Sequence, residues 1–192
     1  MRGCNPSCSP KSEAVSVALK RLPSIFGSLL AASAISFAAA AHTIEGRVVR
    51  VSDGDTVTLL DGSHAQRRIR LAGIDAPEKA QPYGGASTRH LSGMVFGESV
   101  SVEYKKHDRY GRIVGKVLKD GHDASLEQIR AGLAWHYKQY QREQSRADRS
   151  TYAKLENAAQ QAHAGLWRDP APVPPWTWRV EQRAKHRIKQ EP

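Results

Sequence analysis

Hydrophobic and polar residues alternate along short stretches between residues 43 and 119, which is the pattern of β-strands with one buried and one solvated face. The alternation is clearest in the segments 56–59, 68–71 and 100–105. The segments 44–52 and 112–119 complete a set of five predicted strands. Three Asp-Gly pairs mark tight turns, namely Asp53-Gly54, Asp61-Gly62 and Asp120-Gly121.

Three other segments repeat hydrophobic residues at helical spacing. A short helix is predicted over 85–96, between the third and fourth strands. A second helix begins near Ser125, which together with Gln128 resembles a capping box. A third helix is predicted from about Ser145 to Ala164, where Gly165 would end it, with a buried stripe of Tyr152, Leu155, Ala159 and Ala162.

This order of elements predicts an α+β fold. A five-stranded OB-type β-barrel would carry about three packed α-helices, because the strands come first and the C-terminal half is helical. A doubly wound sheet would require strands and helices to alternate along the chain, and they do not. We therefore expect one domain over residues 42–168, with segments of different composition on either side.

The first 41 residues have the composition of a cleaved secretory signal peptide. Basic residues come first, an apolar run extends from Ile25 to Ala41, and the run ends in four alanines. A retained membrane anchor is the alternative, although the run is short and rich in alanine and serine. We expect a secreted or periplasmic protein without stable membrane association after cleavage. Both cysteines, Cys4 and Cys8, would leave with this segment, so the mature chain would have no disulfides or thiolate sites.

Positive charge dominates the chain with or without this segment. The formal net charge is +10, and from His42 onward 25 Lys and Arg stand against 18 Asp and Glu. Such an excess concentrates polyanions, so nucleic acid is the first expected partner and an anionic lipid surface is the rival.

Part of this charge lies in a C-terminal tail, residues 169–192, which is Pro-rich and then basic. Because proline removes backbone donors, we expect the tail not to continue the preceding helix. It would either wrap around the domain or extend into solvent without packing on it. Trp176 and Trp178 would either pack back onto the domain or stack on bases.

Two aspartates lie at ends of predicted strands, where both side chains can reach one rim of the barrel. Asp55 begins one strand and Asp75 follows another. Two carboxylates and a backbone carbonyl would suit a hard cation such as calcium. The alternative for the sequence Asp53-Gly54-Asp55-Thr56 is a type I′ hairpin turn, in which Asp and Gly are only turn formers. We assign Asp53 a turn or outer role.

Two arginines and a glutamate add chemistry that a structural cation site would not need. Arg70 alternates with Ile69 and Leu71, so its side chain lies on the face opposite the core, and Arg112 stands at a strand start. Two guanidiniums can grip one phosphate and neutralise its charge in a transition state, although an exposed strand arginine is ordinarily only solvated. Glu78 is either a solvated loop residue or a general base for an attacking water.

Three motifs contain these residues in order: D-G-D-T at 53–56, R-L-A-G-I-D-A-P-E at 70–78 and D-R-Y-G-R at 108–112. In this order and at these spacings they resemble the thermonuclease, or staphylococcal-nuclease-like, family. The resemblance extends over residues 44–167, nearly the whole predicted domain. It implies an OB-fold barrel, calcium dependence and hydrolysis of DNA and RNA phosphodiester bonds.

The resemblance also implies a role for each residue of the predicted site. Asp55, Asp75 and the main-chain carbonyl of Ala76 would bind calcium. Glu78 would be the base near the metal. The phosphate-binding arginines would be Arg70 and Arg112.

Nucleotide-contacting positions match the family less closely. Tyr110 falls on such a position, Arg109 on a basic one, and Tyr140 matches a third, while Lys138 replaces a family tyrosine. The nearby aromatic residues would either stack on the substrate or pack at the helix end, namely Trp135, His136 and Tyr137.

The sequence therefore predicts an exported, calcium-dependent endonuclease with little sequence preference, which acts as a monomer on DNA and/or RNA. The alternative on the same fold is a non-catalytic module that binds single-stranded nucleic acid through aromatics and a basic groove. Three acids facing a polyanion would add little to simple binding, which favours the enzyme. A third hypothesis, a basic membrane-surface or cell-wall protein, rests only on charge and the tail.

Overall fold

The structure is a computed structural model and describes residues 42–190; the predicted signal peptide, 1–41, lies outside them. The strands are β1 His42–Asp53, β2 Thr56–Asp61, β3 Gln66–Leu71, β4 Ile74–Asp75, β5 Ser99–His107, β6 Ile113–Lys119, β7 His122–Asp123 and β8 Trp135–His136. The helices are α1 Gly84–Val95, α2 Ala124–Arg130, α3 Arg146–Gln161 and α4 Pro175–Gln190, with short 3-10 helices at Lys138–Glu143 and Gly165–Arg168.

Five of the strands close into a barrel. Hydrogen-bonded neighbours follow the order β3-β2-β1-β5-β6, and parallel pairing of β3 with β6 closes the ring. The other pairings around the ring are antiparallel. β7 extends the edge at β6, while β4 and β8 form a separate two-stranded sheet. The predicted α+β fold with a five-stranded OB-type barrel is confirmed.

The barrel core consists of the apolar residues that alternate along the strands. Val57 and Leu59 of β2 and Ile69 of β3 are fully buried. Leu91 of α1 and Ile129 of α2 belong to the same buried cluster. Because these inward positions fill the core, their neighbours in sequence, Arg70 among them, face outward to the surface where the site lies.

Helix α2 begins differently from the prediction. Its N-cap is Asp123, whose carboxylate accepts a hydrogen bond from the Ser125 N–H at 2.8 Å, so the capping box at Ser125 and Gln128 is wrong. Gln128 is buried and donates to the carbonyl oxygens of Gly54 and Ser87, at 2.6 and 3.1 Å. Its amide therefore ties α2 to the turn before β2.

Helix α3 buries two of the four residues of the predicted stripe and half-buries a third, Leu155. Ser145 caps its start, and Tyr152 and Ala159 are buried as expected. Ala162, predicted to be buried, is exposed because the helix ends at Gln161. The buried position that the prediction missed is Glu156, which accepts a hydrogen bond from the backbone N–H of His136 at 3.0 Å.

The tail contains a helix, α4, which the sequence analysis did not predict; it begins after the proline-rich segment and does not continue α3. Pro175 is its first residue, a position where the missing N–H would have no partner anyway. Trp176 stacks on Tyr137, with ring centroids 5.4 Å apart and planes 8° apart. The tail thus folds back onto the domain, one of the two alternatives considered. Over residues 42–190, no helix has the length and apolar character needed to cross a membrane.

Candidate functional site

One guanidinium bridges the two aspartates predicted to bind metal. Arg70 on β3 pairs across the sheet with Thr56, the residue after Asp55. Its Nη1 contacts the Asp55 carboxylate, and its Nη2 lies 2.8 Å from Oδ1 of Asp75. The Arg70 side chain is 13% exposed, so it is not the freely solvated strand arginine of the alternative interpretation.

Close packing, and not turn chemistry, accounts for the glycine before Asp55. A Cβ on Gly54 would lie 1.9 Å from Oγ of Ser87 and 2.8 Å from Cβ of Ala76. Neither Gly54 nor Asp55 has the positive φ that a type I′ turn requires, so that alternative is wrong. Oδ1 of Asp53 accepts a hydrogen bond from the Asp55 N–H at 3.1 Å, so Asp53 supports the turn, and an outer role at a metal site stays a prediction.

The surroundings of Asp55 favour its ionised form. Its Oδ2 accepts from the Ala76 N–H at 2.8 Å and its Oδ1 from the Thr56 hydroxyl at 3.0 Å. Burial acts to raise the pKa of Asp55, but Arg70 and these hydrogen bonds outweigh it, so the pKa is lowered. At Asp53, burial and the neighbouring Asp55 charge raise the pKa to about 6. Negative charge is therefore concentrated here, and a cation would relieve it.

Arg112 reaches the same cluster from the turn before β6. Its Nη1 lies 3.5 Å from Oγ1 of Thr56, the hydroxyl that donates to Asp55. Its Nε donates to Oδ2 of Asp108 at 2.7 Å. Asp108 also accepts from the backbone N–H groups of Tyr110 and Arg112, each at 2.9 Å. Burial acts to raise the pKa of Asp108, but Arg112 and the backbone N–H groups outweigh it and lower the pKa.

The role of Asp108 in holding Arg112 was missed by the sequence analysis. The signal was present, because an aspartate that opens a turn commonly accepts hydrogen bonds from backbone N–H groups a few residues later. The residue fixes both the shape of the turn and the position of the guanidinium.

The predicted nucleotide-contacting residues lie in two places. Tyr110 is 65% exposed, accepts a hydrogen bond from Nη2 of Arg109 at 2.7 Å, and has its ring 5.6 Å from the Arg112 guanidinium. Tyr140 is 44% exposed and packs edge-on against Tyr137 at 4.9 Å. Arg109 and Tyr110 therefore lie beside Arg112. Tyr140 lies beside Tyr137, the residue on which Trp176 of α4 stacks.

A third arginine, which the sequence analysis did not select, reaches the cluster from α4. Nη2 of Arg179 lies 2.7 Å from Oδ2 of Asp75, and its Nη1 lies 2.8 Å from Oε1 of Glu78. The Asp75 side chain is 1% exposed, and burial raises its pKa even though Arg179 and Arg70 act to lower it. The tail's basic composition was the only signal for this contact.

The chemistry of the donor atoms suits a hard cation, although their spacing in the structure does not form a metal site. Among residues 42–190, no group of three or more His, Cys, Asp or Glu has a geometry that could hold a metal ion. Asp55 and Asp75 nevertheless meet at Arg70, Asp75 and Glu78 meet at Arg179, and carboxylate oxygens are the ligands that calcium prefers. Asp75 and Glu78 share one positive group, the Arg179 guanidinium.

Comparisons with known proteins identify relatives over most of the chain. A family model described as "Staphylococcal nuclease homologue" matches residues 68–169. The chain is 48% identical over 137 residues to a protein of Escherichia coli named "Uncharacterized endonuclease", an alignment that covers 71% of this chain and 85% of the relative.

Two further relatives carry other names. "Protein ParB" of Escherichia coli is 39% identical over 147 residues, with 72% of this chain and 80% of that protein covered. A protein of Shigella flexneri named "Micrococcal nuclease" is 38% identical over 143 residues, with 70% and 79% covered.

Proposed function

The chain belongs to the staphylococcal nuclease family, and from that premise we propose that it is an exported, calcium-dependent endonuclease that hydrolyses phosphodiester bonds of DNA and/or RNA with little sequence preference. The observation that carries the proposal is the single network that joins Asp55 and Asp75 to Arg70 and, through the Thr56 hydroxyl, to Arg112. A structural cation site would need the acids alone.

Arg70 and Arg112 would bind the scissile phosphate. A guanidinium has five N–H donors; Nη2 of Arg70 donates to Asp75 and Nη1 contacts the Asp55 carboxylate, so donors remain for phosphate oxygens. Because Asp108 holds Arg112 and the two aspartates hold Arg70, both groups are fixed before the substrate arrives. Fixed positive groups stabilise the charge that develops on phosphorus oxygens in the transition state.

Glu78 would accept the proton of the attacking water. Its side chain is 41% exposed, so a water molecule can reach it. As the water oxygen bonds to phosphorus, its proton passes to the Glu78 carboxylate, the P–O bond to the leaving sugar oxygen breaks, and that oxygen takes up a proton from solvent. Calcium, which Asp55, Asp75 and the Ala76 carbonyl would hold, supplies positive charge beside the phosphate when bound.

Export rests on the composition of residues 1–41, and the basic charge of the remaining chain supports a polyanionic substrate. Expressed with its first 41 residues in a bacterial host, the protein should appear in the periplasm or medium with His42 near its N-terminus. N-terminal sequencing would check this, and an intact N-terminus in the cytoplasm would contradict it.

The residue assignments can be tested with purified protein starting at His42 and plasmid DNA in calcium. Glu78→Ala should slow cleavage roughly 100-fold or more, the range for a lost general base. Arg112→Ala should slow it by a similar factor, roughly 100-fold. Matched controls are Glu98→Ala and Arg67→Ala, which remove exposed residues paired elsewhere, with Lys119 and Asp61.

Full activity in Glu78→Ala or Arg112→Ala would overturn the assignment of that residue. If wild-type protein binds single-stranded DNA tightly but cleaves no DNA or RNA in any divalent metal, the non-catalytic binding module is the better description.

A further inference from the structure

The tail places a permanent positive group against the acids of the site. Arg179 contacts both oxygens of Asp75, at 2.7 and 3.2 Å, and Oε1 of Glu78 at 2.8 Å. Arg179 belongs to α4, the last element of the described chain, and not to the barrel. The two acids that it neutralises are the proposed metal ligand and the proposed base.

Separate contacts hold the tail in position to deliver Arg179. Trp176, three residues earlier on α4, stacks on Tyr137 and meets Trp135 edge-on at 5.8 Å. Before the helix, the carbonyl oxygen of Val173 accepts a hydrogen bond from Nε2 of the buried Gln81 at 2.6 Å. Aromatic packing and a hydrogen bond to the backbone therefore fix the position of α4, and with it the position from which Arg179 reaches the acids.

A divalent cation and Arg179 cannot both use the same oxygens of Asp75. Asp75 is almost fully buried, so its Oδ2 has room for few partners, and one of them is now Nη2 of Arg179. Arg70 already lies 2.8 Å from Oδ1 of Asp75, so a calcium ion bound beside Arg179 would be a third positive group at one carboxylate, and charge repulsion is strong in a partly desolvated site. Arg179 itself is 35% exposed, so water can take over its hydrogen bonds when it leaves.

We propose that Arg179 is an internal competitor of the divalent cation, so that α4 closes the site in the metal-free protein and calcium binding releases the guanidinium from Asp75 and Glu78. The inference rests on the proposed function, because it takes calcium as the cation. It adds that the tail sets the calcium concentration at which the site fills. By linkage, calcium must loosen the tail by as much as the tail weakens calcium.

The test measures calcium binding to the protein from His42 to Pro192 by isothermal titration calorimetry, without substrate. Arg179→Ala should bind calcium about tenfold tighter or more than wild type, because a hydrogen-bonded ion pair no longer has to be broken. Arg179→Lys keeps the charge but loses the contact with two acids, so its calcium affinity should lie between those of wild type and Arg179→Ala. The matched control is Arg183→Ala, one turn later on α4, an exposed arginine that forms no ion pair with any described residue.

Limited proteolysis of the same proteins gives a second readout. In wild type, saturating calcium should speed cleavage within residues 170–190. In Arg179→Ala, where the contacts of Trp176 and Val173 remain, cleavage should be faster than in calcium-free wild type and should not change with calcium. A merely structural role for Arg179 would predict equal or weaker calcium binding in Arg179→Ala, and that result would overturn the proposal. So would a tail whose cleavage rate is the same with and without calcium in wild type.

The failure of this proposal can be told apart from failure of the proposed function. If wild type cleaves DNA in calcium and Arg179→Ala has wild-type calcium affinity, only the competition is wrong. If wild type neither binds calcium nor cleaves nucleic acid in it, the calcium-dependent function is wrong and the competition falls with it.

Discussion

Asp75 and Asp123 are both buried aspartates at the ends of two-residue strands, yet their partners differ in kind. The carboxylate of Asp123 accepts hydrogen bonds from the Tyr152 hydroxyl at 2.7 Å and from the Ser125 N–H at 2.8 Å. Asp75 accepts its side-chain hydrogen bonds from the guanidiniums of Arg70 and Arg179. One aspartate is satisfied by neutral donors of the framework, and the other by cations.

The charged neighbours of the two carboxylates also differ. Asp123 has positive Lys116 at 4.0 Å, and it caps a helix, so its place follows from folding alone. Asp75 lies with Asp55 and Glu78, a concentration of negative charge that folding does not need. Groups that cost stability and cluster around one point are typical of functional sites, where evolution retains them for chemistry.

The largest expected effect is on catalysis at Asp75. Asp75→Asn should lower the cleavage rate roughly 1,000-fold or more, because it removes a proposed metal ligand whose loss costs several kcal/mol of transition-state stabilisation. Asp123→Asn should keep the activity of each folded molecule within about threefold, since this carboxylate has no contact with the site. Rates normalised to the folded fraction would check both. Equal losses of activity in the two variants would contradict the distinction between a functional Asp75 and a structural Asp123.

The next effect is on stability at Asp123. Asp123→Ala should lower the free energy of unfolding by about 2–4 kcal/mol, because it removes a helix cap and leaves the buried Tyr152 hydroxyl without its acceptor. Chemical denaturation would measure the change, with Tyr152→Phe as the companion that removes the hydroxyl together with its need for a partner. A decrease in the free energy of unfolding below about 0.5 kcal/mol would show that Asp123 and its hydrogen bonds are not structural.

A smaller effect is expected at Asp108, which acts through Arg112. Asp108→Ala should lower kcat about tenfold by freeing the guanidinium, and should have no further effect in an Arg112→Ala background. Asp120→Ala is the control, because Asp120 also lies in a turn but its side chain is 80% exposed and pairs only with Lys119 among the described residues. Additive losses in the double variant would show that Asp108 does not work through Arg112.

The smallest effect is the pH dependence of stability at Asp123. Burial raises the pKa of Asp123, although Tyr152 and Ser125 act to lower it. A raised carboxyl pKa means that the folded state holds the proton more tightly than the unfolded state. The stability that this adds is full below the ordinary value of 3.8 and is lost as pH rises through the raised pKa.

Wild type should therefore exceed Asp123→Asn in stability by more at pH 4 than at pH 8. Asp61 provides the opposite control: hydrogen bonds, first from the Ser63 hydroxyl and then from Arg67, hold its pKa well below its usual range. The advantage of wild type over Asp61→Asn should thus shrink as pH falls. Parallel pH trends in the two variants would contradict the stated difference in pKa.

The strand alternation was enough to predict where Arg70 and the barrel core lie. Because side chains alternate across a strand, Ile69 and Leu71 had to face the core and Arg70 the other side. The approach of Asp55 and Asp75 also followed, since both stand at strand ends on one rim. Their roles as ligands, with that of Ala76, remain predictions.

What the sequence could not predict depends on contacts between distant segments. Arg179 reaches Asp75 only because α4 folds back and Trp176 stacks on Tyr137, and no local pattern encodes that return. The capping signal was also ambiguous, because Asp123 and Ser125 are both good cap residues and tertiary packing of Gln128 decided between them.

The central claim, that the cluster of acids and arginines is a calcium-dependent nuclease site, is tested most directly by a metal-titrated digestion. Purified protein starting at His42 would be incubated with plasmid DNA while calcium is raised, then chelated, then restored. The account predicts cleavage that rises with calcium, stops on chelation and resumes when calcium is restored. Cleavage that continues unchanged in excess chelator, or no cleavage at any calcium concentration, would contradict it.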